Sequence, residues 1–308
     1  MKTYSSSTDF ARFLTDYVMR TTGITREDYG KLCVAQRQNA LSFPHALFKK
    51  PLTMQEYLEA RPIAEPLHLF DCVMPCAGGE GFIVMSEERA RYLSLPYARL
   101  LGTIERHNAF PEDPIQYRGG WAMDAEDLYA QAGVGPSDMD LVQVYDDYPV
   151  ISAMQLEDLG FCPKGEVQAF IRANTFTNDG TLPLNTSGGQ LSVGQAGAAG
   201  GYLGLVEALR QVTRRPLGEQ VPEGDGVLAP ARELRQMARH RIVDAQGAPL
   251  PLLRHRHRAG DLRHREPDHH RVGGHDTRRR GDHRSDDLHR YSGGDHYGGS
   301  RPGVCGYR

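Results

Sequence analysis

The chain has 308 residues, 39% of them apolar and a net charge of −3, enough length for two ordinary domains and enough apolar content to bury a core. No apolar run approaches the ~20 residues of a membrane-spanning helix, and Met1-Lys-Thr-Tyr-Ser-Ser-Ser is not followed by a signal-peptide core, so a cytoplasmic protein is expected. Five cysteines at 33, 72, 76, 162 and 305 are irregularly spaced and odd in number, which points to reduced thiols and no disulfide framework.

The charge is unevenly placed. Residues 1–230 carry 19 Lys and Arg against 29 Asp and Glu; residues 231–308 carry 17 Arg, no Lys, 10 acids and ten of the thirteen histidines. From Arg254 on, only 9 of 55 residues are apolar, too few to offset the entropy of ordering the chain. Residues 231–308 are therefore expected to form a disordered tail, dispensable for folding. An arginine-rich stretch without lysine is also what an alternative reading frame of a GC-rich gene would give. Arg254-His-Arg-His-Arg258 and Arg278-Arg-Arg280 could attract nucleic acid by charge alone, but no aromatic interleaving accompanies them, and nucleic acid is not an expected partner.

In chain order, Ser7 to Arg20 places Phe10, Phe13, Leu14, Tyr17 and Val18 on one helical face, with Gly23 as its stop. Thr25-Arg-Glu-Asp28 is a capping sequence for a second helix to about Ala40. Thr53-Met-Gln-Glu56 opens a short helix ending before Pro62. The run Gly81-Phe-Ile-Val-Met85 reads as a buried strand, Glu87–Leu93 as a helix, Tyr97–Glu105 as a strand and Met123–Ala132 as a helix ended by Gly133. Asp140–Tyr145 is a further predicted strand, delivering Tyr145-Asp-Asp-Tyr148 into a loop before a helix that starts at Pro149. Alternating strands and helices predict a layered α/β fold. Cys72 and Cys76, without a second pair or a nearby histidine, read as buried thiols in a strand–turn and not as zinc ligands.

The densest signal is Asn185 to Gly204, with seven glycines in twenty residues, running directly into the helical spacing of Leu205–Val212. Glycine is costly in regular structure, so this density implies close approach of backbone to backbone or to a ligand. A tightly packed loop without chemistry is the plain alternative. The stretch resembles the C-terminal active-site loop of the thiolase superfamily, N-x-x-G-G-x-x-x-x-G-H-P-x-G-A-T-G: Asn185, Gly188, Gly189 and Gly194 fall on its fixed positions. Arg37-Gln-Asn-Ala40, Lys50-Pro-Leu-Thr53 and Asp71-Cys-Val-Met-Pro-Cys-Ala-Gly-Gly-Glu80 are similar, in order, to motifs of lipid-transfer thiolases of the sterol-carrier type.

This resemblance, over roughly residues 7–222, implies an incomplete αβαβα thiolase fold. Residues 1–96 would be the second half of an N-terminal domain and 97–230 the C-terminal domain. It implies a coenzyme A thioester as substrate, no permanently bound cofactor, no metal, and substrate contacts at Asn185, Gly188, Gly189, Gly194 and Gly197. It also implies a homodimer or a heterodimer with a thiolase-like chain, with a small OB-fold/zinc-ribbon protein as a further candidate partner.

The family's usual chemistry is altered. The cysteine nucleophile belongs to a segment before the region matched here, Gln195 stands where the loop histidine would be, Tyr145 opens the turn where the family has His or Asn, and no late Cys-x-Gly lies between Leu217 and Ala245. Gln195 can donate a hydrogen bond but not shuttle a proton. Tyr145 brings a phenol of ordinary pKa ~10, competent as an acid/base where its surroundings tune it. Tyr145 and Gln195 are thus the candidate catalytic pair, in a pattern most similar to thiolase-fold steroid side-chain aldolases. A core role for Tyr145 is the alternative; Tyr148 reads as a core tyrosine, and Asp146 and Asp147 as caps of the helix from Pro149. Two other readings of the whole chain stand beside retro-aldol cleavage: an acetyl-CoA acyltransferase of the lipid-transfer or degradative type, and an inactive remnant or scaffold subunit.

Overall fold

The computed structural model describes residues 6–222, all within one of two units into which the chain divides, residues 1–252. The expectations for the tail at 231–308 lie outside the described residues.

Helix α1, Ser7–Thr22, starts where Ser6 accepts a hydrogen bond from Asp9 N (3.1 Å) and ends at Gly23, whose left-handed φ of 72° suits a residue without Cβ. Helix α2, Arg26–Ala40, is anchored by Asp28, which accepts from Thr25 N (2.9 Å) and receives a two-point contact from Arg172 (2.8 and 2.7 Å). It is buried along most of its circumference, through Tyr29, Leu32, Cys33, Gln36, Arg37 and Asn39. That burial makes it the central helix, packed against α3 (Met54–Leu58), α6 (Pro149–Asp158), α7 (Val167–Ala173) and α8 (Gly189–Val193). The remaining helices are α4 (Glu87–Tyr92), α5 (Trp121–Ala132, closed by Gly133) and α9 (Gly200–Val212). Leu14, Leu32, Leu156, Leu159, Ile171 and Leu184 are fully buried in the main core.

The predicted helices are present, the last beginning at Gly200 and not at Leu205, and α7 and α8 join them without having been predicted; the strands are not where the pattern placed them. The described residues hold one two-stranded antiparallel pair, β1 (Pro62–Ala64) with β2 (Leu67–His68). The predicted strand at 81–85 is extended but unpaired, and Ile83 and Val84 are 83% and 72% exposed. The run 97–105 is likewise no strand, although Gly102 packs closely on Leu128 of α5. Neither run takes part in a backbone–backbone hydrogen bond among the described residues. A strand exists only through a lateral neighbour, and the apolar pattern alone does not supply one.

Residues 140–145 reduce to a parallel bridge between Val142 and Leu184. Val142 N donates to Pro183 O and Asn185 N to Val142 O (2.9 Å each), which registers the end of this run against the start of the glycine loop.

Candidate active site

The glycine loop begins at Asn185, a non-glycine residue at φ 48°, held there by its own contacts. Its amide oxygen accepts from Val144 N (2.8 Å), continuing the bridge by a side chain where the backbone turns away. Gly188 (φ 103°) lies so close to Ala40 and to Gln36 O of α2 that a Cβ would collide with them. Gly189 (φ 61°) is pressed against the Asp146 carboxylate and the Asn185 amide. These two positions need glycine for both backbone angle and space.

Asp146 is 1% exposed, and its two oxygens accept from Gln190 N (2.8 Å) and Leu191 N (3.2 Å) at the start of α8. Burial pushes its pKa up to about 7, against the pull of those two backbone donors. The sequence had Asp146 and Asp147 capping the helix from Pro149; Asp146 caps α8 instead, and no side chain caps α6. The Gly-Gly turn brings the α8 amides, not those of α6, over the carboxylate.

Tyr145 is fixed from behind by Gln155 on α6, which accepts from Tyr145 N (3.0 Å) and donates to Tyr145 O (2.6 Å). Sequence reading missed Gln155; its one signal was a glutamine among Val150, Ala153 and Leu156 on the buried face of the helix. The Tyr145 hydroxyl donates to Asp147 Oδ2 (2.8 Å), and Gln195 Nε2 donates to Asp147 Oδ1 (2.8 Å) and approaches Tyr145 Oη (3.3 Å). Both amide hydrogens of Gln195 are thus engaged within this cluster. Burial, then the Asp147 charge, pushes Tyr145 up to about 12. Burial also raises Asp147, while the Tyr145 and Gln195 hydrogen bonds pull it back. Tyr148, the predicted core tyrosine, is buried and shares a hydrogen bond with Thr8 (3.2 Å).

Gln195 is placed by its backbone: its N donates to Met74 O and its O accepts from Cys76 N, 2.9 Å each. The next glycine back, Gly194 (φ 113°), faces Leu47 and the Cys76 thiol, which sits 2.9 Å from where a Gly194 Cβ would be. Cys76 is therefore a half-exposed thiol beside the loop and not a buried one in a strand–turn. Among the described residues its thiol makes no hydrogen bond to a base. Gly197 (φ 58°) faces open space.

The loop thus has two faces. Tyr145, Asp147 and Gln195 form one cluster. Beside it a narrow crevice, with room for about one water molecule, is lined by Gln143, Asp146, Asn185, Gly189, Gln190 and Gly200 and by neither Tyr145 nor Gln195. Among the described residues no cluster of His, Cys, Asp and Glu is arranged to hold a metal ion.

Residues 103–232 match the family described as thiolase C-terminal domain-like. The chain is 37% identical to a steroid side-chain-cleaving aldolase of Thermomonospora curvata over 63% of its length and 51% of the relative's. It is 34% identical to a 17-hydroxy-3-oxo-4-pregnene-20-carboxyl-CoA lyase of Mycobacterium tuberculosis over 63% and 52% of the two chains. Residues 103–232 are thiolase-like. The benzoylsuccinyl-CoA thiolase subunit BbsB of Thauera aromatica is 31% identical over 66% of this chain and 54% of its own. The solved Ltp2-ChsH2(DUF35) aldolase superposes with a TM-score of 0.60 at 29% identity, over 69% of this chain and 57% of that one. The fold is thiolase-like over that shared region. The chain spans about half the length of the curated relatives it matches.

Proposed function

We propose that this chain is the tyrosine-bearing part of a thiolase-fold lyase that cleaves a β-hydroxyacyl-CoA thioester by retro-aldol reaction. The observation that carries this reading is the hydrogen-bonded trio Tyr145–Asp147–Gln195 where the family has a histidine or asparagine turn and a loop histidine. With a phenol at about 12, phenolate is scarce at neutral pH, so Tyr145 works as a relay and not as a free base. The substrate β-hydroxyl gives its proton to Tyr145 Oη as Tyr145 passes its own to Asp147 Oδ2. The Cα–Cβ bond breaks, the β-carbon becomes a carbonyl, and the electron pair forms the thioester enolate. The proton held by Asp147 returns through Tyr145 to Cα and releases the shorter acyl-CoA. Amide and backbone donors at the loop stabilise the enolate oxygen. Gly194 and Gly197 flank Gln195 where the thioester is placed, while the buried Asn185, Gly188 and Gly189 fix the loop that presents it. A steroid side chain is the acyl group that the named relatives favour, and no resident cofactor takes part in these steps.

The reaction is assigned to an assembly and not to this chain by itself. Two apolar runs, at 81–85 and 97–105, lack strand partners, and a second thiolase-like chain is the partner that would pair with them. A small OB-fold/zinc-ribbon subunit is a further proposed component, in keeping with the solved aldolase's two-part name.

Acyl transfer is the second reading, favoured by one observation: the Cys76 thiol beside Gly194. One experiment separates the two. The assembly is incubated with a tertiary β-hydroxyacyl-CoA, and both small products and intact protein mass are read. Lyase chemistry predicts a ketone and a shortened acyl-CoA with unmodified protein. An acyl adduct on Cys76 would instead establish transfer.

A further inference from the structure

Arg37 sits in the last turns of α2, 6% exposed. A guanidinium has five N–H donors and cannot shed its proton at ordinary pH. At Arg37 only Nε is matched, donating to Ser192 Oγ on α8 at 3.2 Å. The flat cation rests on the Phe48 ring at 4.3 Å, with the Phe70 ring 5.7 Å away. Neither Nη nitrogen donates to the described protein, and no carboxylate pairs with Arg37 within ion-pair distance. Glu56 is the acid whose charge reaches it, and Glu56 is committed to Thr53 N and Oγ1, both at 2.8 Å.

The side chain is largely buried, yet its Nη nitrogens are not among the fully buried polar atoms left without a partner, so this edge is the part of the cation open to receive a counter-ion. The surroundings define the geometry such an ion must have. Aromatic contact covers the guanidinium plane and leaves its Nη edge, the edge that binds oxyanions in two-point fashion. Phe48 N and Leu47 N donate to Ser192 O and Val193 O (3.2 Å each), so the walls of this pocket are joined to the stretch that leads into Gly194 and Gln195.

We propose that Arg37 is an oxyanion-binding residue, taking a phosphate or carboxylate oxygen of the ligand on its Nη edge between Phe48, Phe70 and Ser192. The inference does not depend on the retro-aldol reading, because it concerns binding alone. Two sources present such an oxyanion: the phosphates of coenzyme A and a carboxylate on an acyl chain.

The test is calorimetric titration of the full chain at constant ionic strength with coenzyme A, inorganic phosphate and succinate as separate probes. Saturable binding of coenzyme A and phosphate without succinate assigns the site to the phosphates; binding of succinate assigns it to an acyl carboxylate. In either case Arg37→Met should weaken binding by roughly tenfold or more, the worth of a charge-assisted hydrogen bond. Because Arg37 is buried, the wild-type chain supplies a second readout: the Arg37 Nε–H resonance, assigned by its loss in Arg37→Lys, should move saturably with the calorimetric midpoint. Absence of saturation by any probe, an Arg37→Met variant that binds as wild type, or a stationary resonance would overturn the proposal.

Discussion

Tyr145 and Asp147 share one hydrogen bond, which is the proton path of the proposed reaction, and the state of Asp147 sets its pH dependence. Asp147 accepts a proton only when ionised, and burial raises it above the usual carboxylate range. Activity should therefore fall as pH drops through that raised value, with an acidic limb displaced upward. Asp147→Asn should remove the limb and cost about 10²-fold or more in turnover, measured as a pH profile of kcat/KM. Gln195 now acts on the same limb. Its hydrogen bond to Asp147 holds the carboxylate down, so Gln195→Ala should shift the limb to higher pH as well as slow the reaction. A Gln195→Ala profile that is lower but unshifted would mean that the amide serves the substrate carbonyl alone. The pair Tyr145 and Gln195 was legible in sequence because each replaces a residue of a recognisable pattern. Asp147 as the link between them was not, since its side-chain direction depends on how the turn after Tyr145 folds.

At the scale of elements, the glycine loop is held by contacts that a side chain would break. Gly188→Ala places a methyl into Ala40 at φ 103° and should destabilise the chain by about 1 kcal/mol or more in urea unfolding. Asp146 adds a pH term. Its folded pKa of about 7 lies above the ordinary ~3.9, so the folded state binds the proton more tightly. Its contribution to stability is full below about pH 4 and is lost as pH rises through about 7. Unfolding free energies between pH 4 and 8 should show this slope in the wild type and a shallower one in Asp146→Asn. Helix placement was readable because caps and 3.6-residue spacing are local: Ser6, Gly23, Thr53 and Gly133 mark their ends in the chain itself. The runs 81–85 and 97–105 read as strands from composition, but pairing is a property of two segments, and neither run has a backbone partner among the described residues. The role of Asp146 at α8 was hidden for a related reason, because residues 146 and 190 meet only after the loop folds back.

Across the whole molecule, the described residues form a helical body around α2 with apolar surface left at Ile83, Val84, Tyr92 and Leu100. Exposed apolar runs without backbone partners are a liability for an isolated chain and an asset for an assembly. Sedimentation at micromolar concentration should show a dimer or larger species, and a monodisperse monomer would count against a shared fold. No described helix is long and apolar enough to cross a membrane. The phenol of Tyr145 carries a hydroxyl whose removal leaves ring packing and the Gln155 clamp intact. Turnover of a tertiary β-hydroxyacyl-CoA should be compared between the assembly carrying the wild-type chain and one carrying Tyr145→Phe, with melting temperatures as a control. A loss of about 10²-fold or more in cleavage at unchanged melting temperature is the predicted result. Cleavage at the wild-type rate by Tyr145→Phe would contradict it.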